Sequence, residues 1–587
     1  MKKFLFLLII VFSTPALADI NPQTVNNMRA QVNEFGHIDV AGNVNNIQLN
    51  LTMPQEDVYQ RIESFVVSDS NGICAGSCSY SFVYDNLGNK LLSINWKNPI
   101  NNIDFSVNLT VSVSRRYTVE MKTYSEFLKP TNLVQSTNSE IASLASNARG
   151  TDFDKVAYLS KWINENIRFN TVYSDVNLPA TEILQLKVGV CKEFSNLLVS
   201  FLRNLGYYSA VTVGYVYPGR IYTGQNFQPH GWTEVYTGEG ILSDPTWAEV
   251  GYLDATHIKF ATFPDSKWTF SSIYSTGFGS FTVNLKSTNV SVSLLNYSED
   301  PVLSFTSKSL EDNLWKGYAI LKTDITSDRC LLTKLDIRSC NSDTGEFLEK
   351  LNKDNVTYFC NNKSVFTIFK IPDLERNRQY TCPIAILVYG SSQQNIPFSF
   401  SFGEEGSTQL SVDKTAALPN EKISASAANS YIFTDGGGYG FGNLETSAPY
   451  YDFNIYSYNK GALDQQKISV VLSKPFDAFL YSNDTAYVGK SISVIVNVKS
   501  LQDSQVTVKI GNQVESDYVS GSKNFSFNFT PQSKDDNLIQ AVVSTNDFST
   551  SISKQINVLE ELNATNFFGG IWKAITDFFN WIFSLFK

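Results

Sequence analysis

The chain has 587 residues, with 46 basic and 56 acidic side chains and a formal net charge of −10. A chain of this length exceeds what one hydrophobic core holds, so several domains are expected. The acidic balance argues against the basic surface on which proteins bind nucleic acid, and no nucleic-acid partner is predicted.

The N-terminus has the pattern of a secretory signal peptide. Two lysines follow Met1, an apolar run covers residues 4–12, and Ala16-x-Ala18 is typical of a cleavage site. We predict that residues 1–18 are a signal peptide and that the mature chain is secreted or on the cell surface. Loss of the two lysines would change the net charge from −10 to −12. Several Asn-x-Ser/Thr triplets agree with a glycoprotein, although such triplets also arise by chance in an Asn- and Ser-rich chain.

The cysteine content fits an oxidising compartment. Of seven cysteines, Cys191 is set aside as the odd one, which leaves an even set for disulfides: Cys74, Cys78, Cys330, Cys340, Cys360 and Cys382. The first two are predicted to close a short loop, and the other four allow three pairings. A zinc site is the competing interpretation for those four, but they lack paired C-x₂₋₄-C spacing and have no histidine among them.

Residues 19–122 are rich in predicted strands. Polar and apolar residues alternate in 47–51 and in 105–113, and turn residues cluster at 85–89. The pattern predicts an antiparallel β-sandwich.

Residues 123–276 mix helical and strand patterns, which predicts an α+β unit. Thr151 and Asp154 are spaced as a capping box at the start of a helix. Its core-facing side has a helical period: Phe153, Val156, Ser160, Ile163 and Ile167.

Cys191 opens a second helix, which we expect to pack beside the first. Apolar residues recur at three and four positions up to Leu205, and Gly206 is a typical helix stop. A thiol in the first turn lies near unpaired backbone N–H groups and the positive end of the helix dipole, which favour the thiolate. Lys192 either adds to this effect or points into water.

Three strands follow the helix, at residues 208–217, 230–236 and 241–244. If the last turn is an odd-length loop, Tyr236 pairs with Gly240, and Asp244 lies on the same face as His230. A four-residue loop would place that carboxylate on the other face. Gly238 and Gly240 are expected to supply the positive φ that the loop requires.

Cys191, His230 and Asp244 are therefore candidates for a thiol nucleophile, its general base and the group that orients the base. His257 is the rival base. We rank it lower because it lacks the strand context and the partner aspartate that His230 has.

The region around these residues resembles the transglutaminase-like superfamily, which includes transglutaminases, microbial proteases and peptide N-glycanases. The resemblance covers about residues 140 to 260 and rests on these segments: 157–163 (AYLSKWI), 179–184 (PATEIL), 189–191 (GVC), 202–206 (LRNLG), 230–236 (HGWTEVY) and 244–247 (DPTW). It implies a papain-like fold with Cys191 as nucleophile, His230 as base and Asp244 as orienter. For the oxyanion, the backbone N–H of Cys191 is the first candidate and Gln185 the second.

Residues 277–562 contain short alternating runs between turn residues, without a long helical period. We predict a cysteine-containing immunoglobulin-like domain at 277–410, a β-rich segment at 411–475 and an immunoglobulin-like sandwich at 476–562. The glycine-rich run 435–443 is interpreted as a turn, because no Lys-Ser/Thr follows it as in a phosphate-binding loop.

The C-terminal segment 563–587 is apolar and aromatic, with polar residues at 573, 577, 580 and 584 along one narrow stripe. About 20 helical residues reach roughly 30 Å, the thickness of a bilayer core. We predict a membrane anchor or an amphipathic helix lying in the membrane interface. A soluble helix packed on a β domain is the alternative.

The predicted architecture is an α+β papain-like transglutaminase core flanked by all-β immunoglobulin-like sandwich domains, with a C-terminal hydrophobic helix. The predicted function is an extracellular, thiol-dependent acyl transfer on a protein or peptide substrate, with amide hydrolysis favoured. A transamidating cross-linker and a catalytically silent surface adhesion or structural protein are the alternatives. Neither a cofactor nor a metal site is predicted.

Overall fold

A computed structural model describes residues 20–560, apart from 75, 77, 121, 220–225, 312–315, 343–344, 353–355, 374–378, 402–403 and 473. The predicted signal peptide and C-terminal helix lie outside these residues. The protein is mostly β, with four α-helices among the described residues. In this part of the chain, no helix is long and apolar enough to cross a membrane.

Two compact units make up the chain. The larger contains residues up to 136, 150–203 and 207–472; the smaller contains 137–149, 204–206 and the residues after 472.

The N-terminal region begins with a 3₁₀ turn at Pro22–Thr24 and then forms six strands: β1 (Val25–Thr52), β2 (Gln60–Asp69), β3 (Gly72–Ile73), β4 (Cys78–Tyr84), β5 (Lys90–Lys97) and β6 (Ile103–Ser114). Their order in the sheet is β3-β2-β6-β1-β5-β4. The side chains of β6 alternate between buried and less buried along its whole length, as the sequence predicts.

The central region carries all four helices: α1 (Ser139–Ala145), α2 (Asp152–Asn166), α3 (Ala180–Leu186) and α4 (Cys191–Asn204). Short 3₁₀ turns occupy Ser125–Phe127 and Thr171–Tyr173. Its strands are β7 (Arg168–Phe169), β8 (Val188–Gly189), β9 (Tyr208–Val216), β10 (Gln228–Tyr236), β11 (Ile241–Asp244), β12 (Glu249–Val250) and β13 (Ile258–Phe263).

The capping box predicted for α2 is confirmed. The Thr151 side chain accepts from the backbone N–H of Asp154, and the Asp154 carboxylate accepts from the N–H of Thr151. Trp162 of α2 meets Phe201 of α4 edge to face, with ring centroids 5.9 Å apart. The two helices therefore pack side by side, as expected.

One long strand corrects the expected division of the chain. Strand β14 (Ser271–Glu299) pairs along almost all of β1, from Leu51↔Ser271 to Val25↔Glu299. Residues 277–299 thus extend the N-terminal sheet, whereas the sequence assigned them to the cysteine-containing domain. Alternation identifies a strand but not its partner, and here the partner lies more than 200 residues away in the chain.

The cysteine-containing region forms β15 (Ser304–Ser309), β16 (Tyr318–Arg338), β17 (Asn341–Ser342), β18 (Gly345–Glu346), β19 (Glu349–Lys350), β20 (Val356–Lys370), β21 (Gln379–Val388) and β22 (Gln393–Ser401). Strand β16 pairs with β12 through Val250↔Leu332, so the sheet of the central region continues into this one. Its order is β13-β9-β10-β11-β12-β16-β20-β19.

Three disulfides settle the cysteine question. Cys74 bonds Cys78 as predicted, and the four remaining half-cystines pair as Cys330–Cys360 and Cys340–Cys382. The zinc interpretation of those four is therefore wrong. Cys330 and Cys360 lie opposite each other on the paired strands β16 and β20. This strand pairing selects one of the three possible connectivities, and the sequence does not reveal it.

The next region forms β23 (Ser411–Val412), β24 (Ala416–Ala417), β25 (Lys422–Thr434), β26 (Tyr439–Ser447), β27 (Phe453–Asn459) and β28 (Ala462–Val470). The last described strands are β29 (Phe476–Ser482), β30 (Thr485–Tyr487), β31 (Ile492–Ser500), β32 (Ser504–Ile510), β33 (Gln513–Val519), β34 (Ser522–Phe529), β35 (Leu538–Ser544), β36 (Ser549–Gln555) and β37 (Asn557–Leu559). The sheets β29-β31-β34 and β33-β32-β35-β36 share one apolar core, which is the β-sandwich expected here.

Candidate active site

Cys191 is the first residue of α4, and among the described cysteines it alone is free. Its partly exposed side chain lies at the helix N-terminus, as the apolar period of residues 194–205 predicts. Gly206 ends the helix with φ +85°.

The first turn of α4 is held by Glu193, which the sequence did not single out. Its buried carboxylate accepts hydrogen bonds from the backbone N–H groups of Val190, at 3.1 Å, and Leu178, at 3.5 Å. A Cβ at position 189 would lie 2.5 Å from the Glu193 Cβ, so only glycine fits there, two residues before Cys191. This arrangement anchors the backbone on which the thiol is presented.

Lys192 does not point into water. Its Nζ donates to the carbonyl oxygen of Ser174 at 2.8 Å and to the side chain of Asn177 at 3.1 Å. The lysine therefore ties the segment after Thr171–Tyr173 to the start of α4.

His230 lies on β10 in the register that the sequence predicts. Thr233 pairs with Ser243 and Val235 with Ile241, which is the register that places Tyr236 opposite Gly240. Of the two glycines expected to supply positive φ, Gly240 does so at +69°, whereas Gly238 does not.

This register brings the His230 ring to Asp244. The Nε2 atom of His230 lies 2.7 Å from Oδ2 of Asp244, and the ring stacks on Trp247 at a centroid distance of 4.8 Å. Cys191 also acts electrostatically on the His230 ring, and both residues line the same cleft. Because Nε2 faces the carboxylate, Nδ1 is the nitrogen left for the thiol. The structure thus brings the three candidates together.

Asp244 is completely buried and fully bonded. Its second oxygen, Oδ1, accepts from the backbone N–H groups of Thr246 at 2.8 Å and Trp247 at 3.4 Å. Burial opposes its ionisation, but the charges and hydrogen bonds of His230 and His257 outweigh burial and hold the pKa of Asp244 well below its usual range.

The carboxylate changes the protonation of His230. Burial alone would lower the pKa of this imidazole, but the charges and hydrogen bonds of Asp244 and Cys191 raise it to about 9. The ring is therefore suited to hold a proton at neutral pH, next to the sulfur.

His257 has a larger part in the site than the sequence indicates. Its Nε2 lies 3.4 Å from Oδ2 of Asp244 and its Nδ1 lies 3.5 Å from Oδ1 of Asp254, so it has two aspartate neighbours rather than none. The expectation that His257 lacks a partner aspartate is wrong. It is completely buried, however, and is not among the residues that line the cleft.

Two further buried acids follow Asp244 in the chain. Asp254 and Glu249 are both completely buried, and one potential ligand atom from each lies within 4.8 Å of one on His257. Burial, followed by the charges of Asp254 and Asp244, raises the pKa of Glu249 well above its usual range. The sequence could have indicated this group, because two acids and a histidine lie within nine positions, 249–257.

The thiol and imidazole open into a cleft of about 450 Å³. Its walls come from the segment before α4, the ends of β9 and β10 and the turn after β11: Phe169, Asn170, Thr171, Cys191, Val216, Pro218, Gln228, Pro229, His230, Thr246 and Trp247. Gln185 lies exposed on α3 and is not among these residues. A spacing of six residues before the cysteine does not determine which way the intervening chain turns.

Residues 139–251 match the family model of the transglutaminase-like superfamily. No curated protein matches the chain. Among solved structures, a provisionally assigned cysteine protease from Cytophaga hutchinsonii is 18% identical and covers 47% of this chain and 93% of its own, with a TM-score of 0.34.

Two other solved structures cover different shares of the chain. A transglutaminase from red sea bream is 8% identical and covers 87% of this chain and 95% of its own, with a TM-score of 0.17. The four N-terminal immunoglobulin domains of Dscam1 isoform 4.4 are 9% identical and cover 48% of this chain and 80% of theirs, with a TM-score of 0.21.

The class of the central region follows from the family match. Residues 139–251 are a transglutaminase-like domain, set within a mostly β chain that contains three disulfides.

Proposed function

We propose that the protein is an extracellular, cysteine-dependent enzyme that hydrolyses amide or peptide bonds through Cys191, His230 and Asp244. The observation that carries the proposal is that the Cys191 thiol and the His230 ring line one open cleft, while the ring is hydrogen-bonded to the buried Asp244 carboxylate. Three disulfides support an oxidising compartment.

In the first step, with the proton of the Cys191 thiol held on the His230 ring, the sulfur attacks the carbonyl carbon of the substrate amide. The carbon–nitrogen bond then breaks as the imidazolium donates that proton to the leaving nitrogen. The product is a thioester of Cys191 and a free amine. Asp244 holds the ring orientation and stabilises its charged form throughout.

In the second step, His230 takes a proton from water, and the resulting oxygen nucleophile attacks the thioester. The carbon–sulfur bond breaks, which releases a carboxylic acid and restores the thiol. A primary amine in place of water would give a new amide instead, with the same residues in the same roles.

Negative charge develops on the carbonyl oxygen in both steps. The Cys191 backbone N–H, at the positive end of the α4 dipole, is the donor we assign to it. Gln185 has no part in this assignment, because it does not line the cleft.

The test is turnover by the purified full-length protein on unfolded protein and peptide substrates, analysed by mass spectrometry. We expect hydrolysis that Cys191→Ala abolishes, together with rapid iodoacetamide labelling of that thiol in the wild type. A competing primary amine separates the two acceptors, because cross-linking adds the mass of the amine whereas hydrolysis adds that of water.

A matched control comes from the exposed pair His37 and Asp104, whose Nδ1 and Oδ1 atoms lie 2.6 Å apart. His230→Ala should abolish turnover, whereas His37→Ala should leave it unchanged. Equal rates in the wild type and Cys191→Ala would overturn the proposal and leave a surface binding protein as the function.

A further inference from the structure

Beyond Asp244, the buried polar contacts continue away from the cleft. His257 contacts Asp244 through Nε2 and Asp254 through Nδ1. Glu249 completes a group in which one ligand atom of each of Glu249, Asp254 and His257 lies within 4.8 Å of the others. All three residues are completely buried.

Several polar atoms of this group lack a hydrogen-bond partner. Both oxygens of the Glu249 carboxylate, Oδ2 of Asp254 and Nδ1 of His257 have no hydrogen-bond partner in the structure. Carboxylates are rarely buried without a partner, because desolvation disfavours their charge. The groups that act most strongly on the Glu249 carboxyl are two other carboxyls, those of Asp254 and Asp244, which worsens the imbalance.

We propose that Glu249, Asp254 and His257 bind one divalent transition-metal ion, for which Zn²⁺ is the best match. Two carboxylates and one imidazole are a donor set that zinc accepts, with room for a fourth ligand. A cation at this point would give each of the three residues a partner and offset the repulsion between the carboxyls.

The surrounding hydrogen bonds are those expected of metal ligands. A metal-binding histidine usually donates its other ring N–H to a carboxylate, and the Nε2 of His257 faces Asp244 in this way. Oδ1 of Asp254, which lies 3.5 Å from Nδ1 of His257, also accepts from the backbone N–H of Thr256 at 2.7 Å, and this bond orients the carboxylate.

The other possible donor set in this area consists of His230, Asp244 and His257. It is the weaker candidate, because Nε2 of His230 is already paired with Asp244 at 2.7 Å. The unpartnered atoms are those of the group that includes Glu249. The proposed ion therefore lies behind the candidate triad rather than in it, and it would fix His257, which contacts the triad carboxylate.

The first experiment measures metal content, and its result does not depend on whether the protein is an enzyme. The full-length protein is prepared with zinc in the medium, desalted and analysed by elemental mass spectrometry. We expect one Zn²⁺ per chain, its loss on prolonged treatment with a chelator, and a lower melting temperature that ZnCl₂ restores. A chain with no stoichiometric zinc, both as prepared and after unfolding and refolding with ZnCl₂, would overturn the proposal.

Variants then locate the ion. Loss of a second-shell partner weakens metal binding by about 10- to 100-fold, so loss of a direct ligand in Glu249→Gln or Asp254→Asn should cost at least about 100-fold in zinc affinity. Glu34→Gln is the matched control, because Glu34 is a buried glutamate in the N-terminal sheet. Glu34→Gln should retain one equivalent of zinc. The assignment would be contradicted if this control lost zinc, or if both Glu249→Gln and Asp254→Asn retained it.

The metal-free proteins give a second measurement that does not depend on affinity. Without an ion, Glu249→Gln removes one of the mutually repelling carboxyls, so it should melt at the same temperature as the metal-free wild type or higher. A lower melting temperature would mean that Glu249 serves in a hydrogen-bonded network of its own, and the proposal would fail.

Discussion

The transglutaminase-like domain and the C-terminal β-sandwich bury different kinds of side chain. Within residues 139–251, four fully buried groups are charged or titratable: Glu193, Arg203, Asp244 and Glu249. The sandwich of residues 476–559 has a core of apolar residues, and Ser549 is the one buried polar residue among those described there.

Arg203 shows how a buried charge of the domain is held by specific partners. It donates to the carbonyl oxygens of Lys129, Ser209 and Pro264, although burial lowers its pKa to about 9. Two of these acceptors, on Lys129 and Pro264, come from distant parts of the chain. The comparison indicates that the sandwich requires only the right apolar pattern, whereas the domain requires particular residues at particular places.

The largest effect is expected at the buried carboxylate of the triad. Asp244→Asn retains the shape of the side chain but removes the charge that supports the protonated ring, so kcat should fall by about 10⁴-fold. Steady-state kinetics on a substrate found by the turnover screen measures this. Asp104→Asn, at the exposed histidine pair, is the control and should not change the rate; a loss below about tenfold for Asp244→Asn would count against the role of the triad.

The next prediction concerns the buried ion pair of the domain. Nζ of Lys259 lies 2.6 Å from Oε1 of Glu234, and both residues are buried. Lys259→Met leaves the carboxylate without its cation, with only the Tyr236 hydroxyl as a partner, and should lower the free energy of unfolding by about 3–5 kcal/mol, as measured by urea denaturation. The double variant Lys259→Met/Glu234→Leu should recover most of that loss. If it is as unstable as the single variant, the loss comes from altered packing rather than from the uncompensated charge.

A lone buried carboxyl tests the same comparison through pH. Burial raises the pKa of Glu34 to about 8, from an ordinary value of 4.5. The folded protein therefore keeps a proton that the unfolded chain releases, and wild-type stability should fall as pH rises from about 4.5 through 8.

Glu34→Gln should remove this dependence and be the more stable protein above pH 8, by a few kcal/mol at about 1.4 kcal/mol per pKa unit. Thermal melts of both proteins provide the measurement, over a range of about pH 5 to 9 in which the stability is expected to change. Parallel pH profiles would show that this carboxyl does not titrate as expected.

The smallest effect is expected in the apolar sandwich. Ile539 is completely buried, and Ile539→Val should lower the free energy of unfolding by only about 0.5–1.5 kcal/mol. Val514, which is 56% exposed in the same sandwich, is the control; Val514→Ala should change stability by less than about 0.5 kcal/mol. A large loss at Ile539 would mean that this core depends on exact packing as strongly as the domain does.

Local patterns predicted the elements that present the site. The apolar period identified α4 and placed Cys191 at its start, and an odd-length turn placed His230 and Asp244 on one face. The aspartate contacts of His257 were not predicted, because they depend on the irregular segment between β12 and β13.

By itself, the sequence predicted helices α2 and α4, the strands that present the site, the sandwich at the C-terminal end of the described chain and the three residues of the candidate triad. These depend on periodicity, turn length and residue chemistry, which are local. The run 435–443, interpreted as a turn, also contains the start of strand β26. Only the tertiary structure decided that β14 pairs with β1, that Cys330 bonds Cys360, and that Glu249, Asp254 and His257 share one buried pocket of charge. The physical reason is that a strand pattern does not specify its partner, and burial of a charged group depends on everything that packs around it.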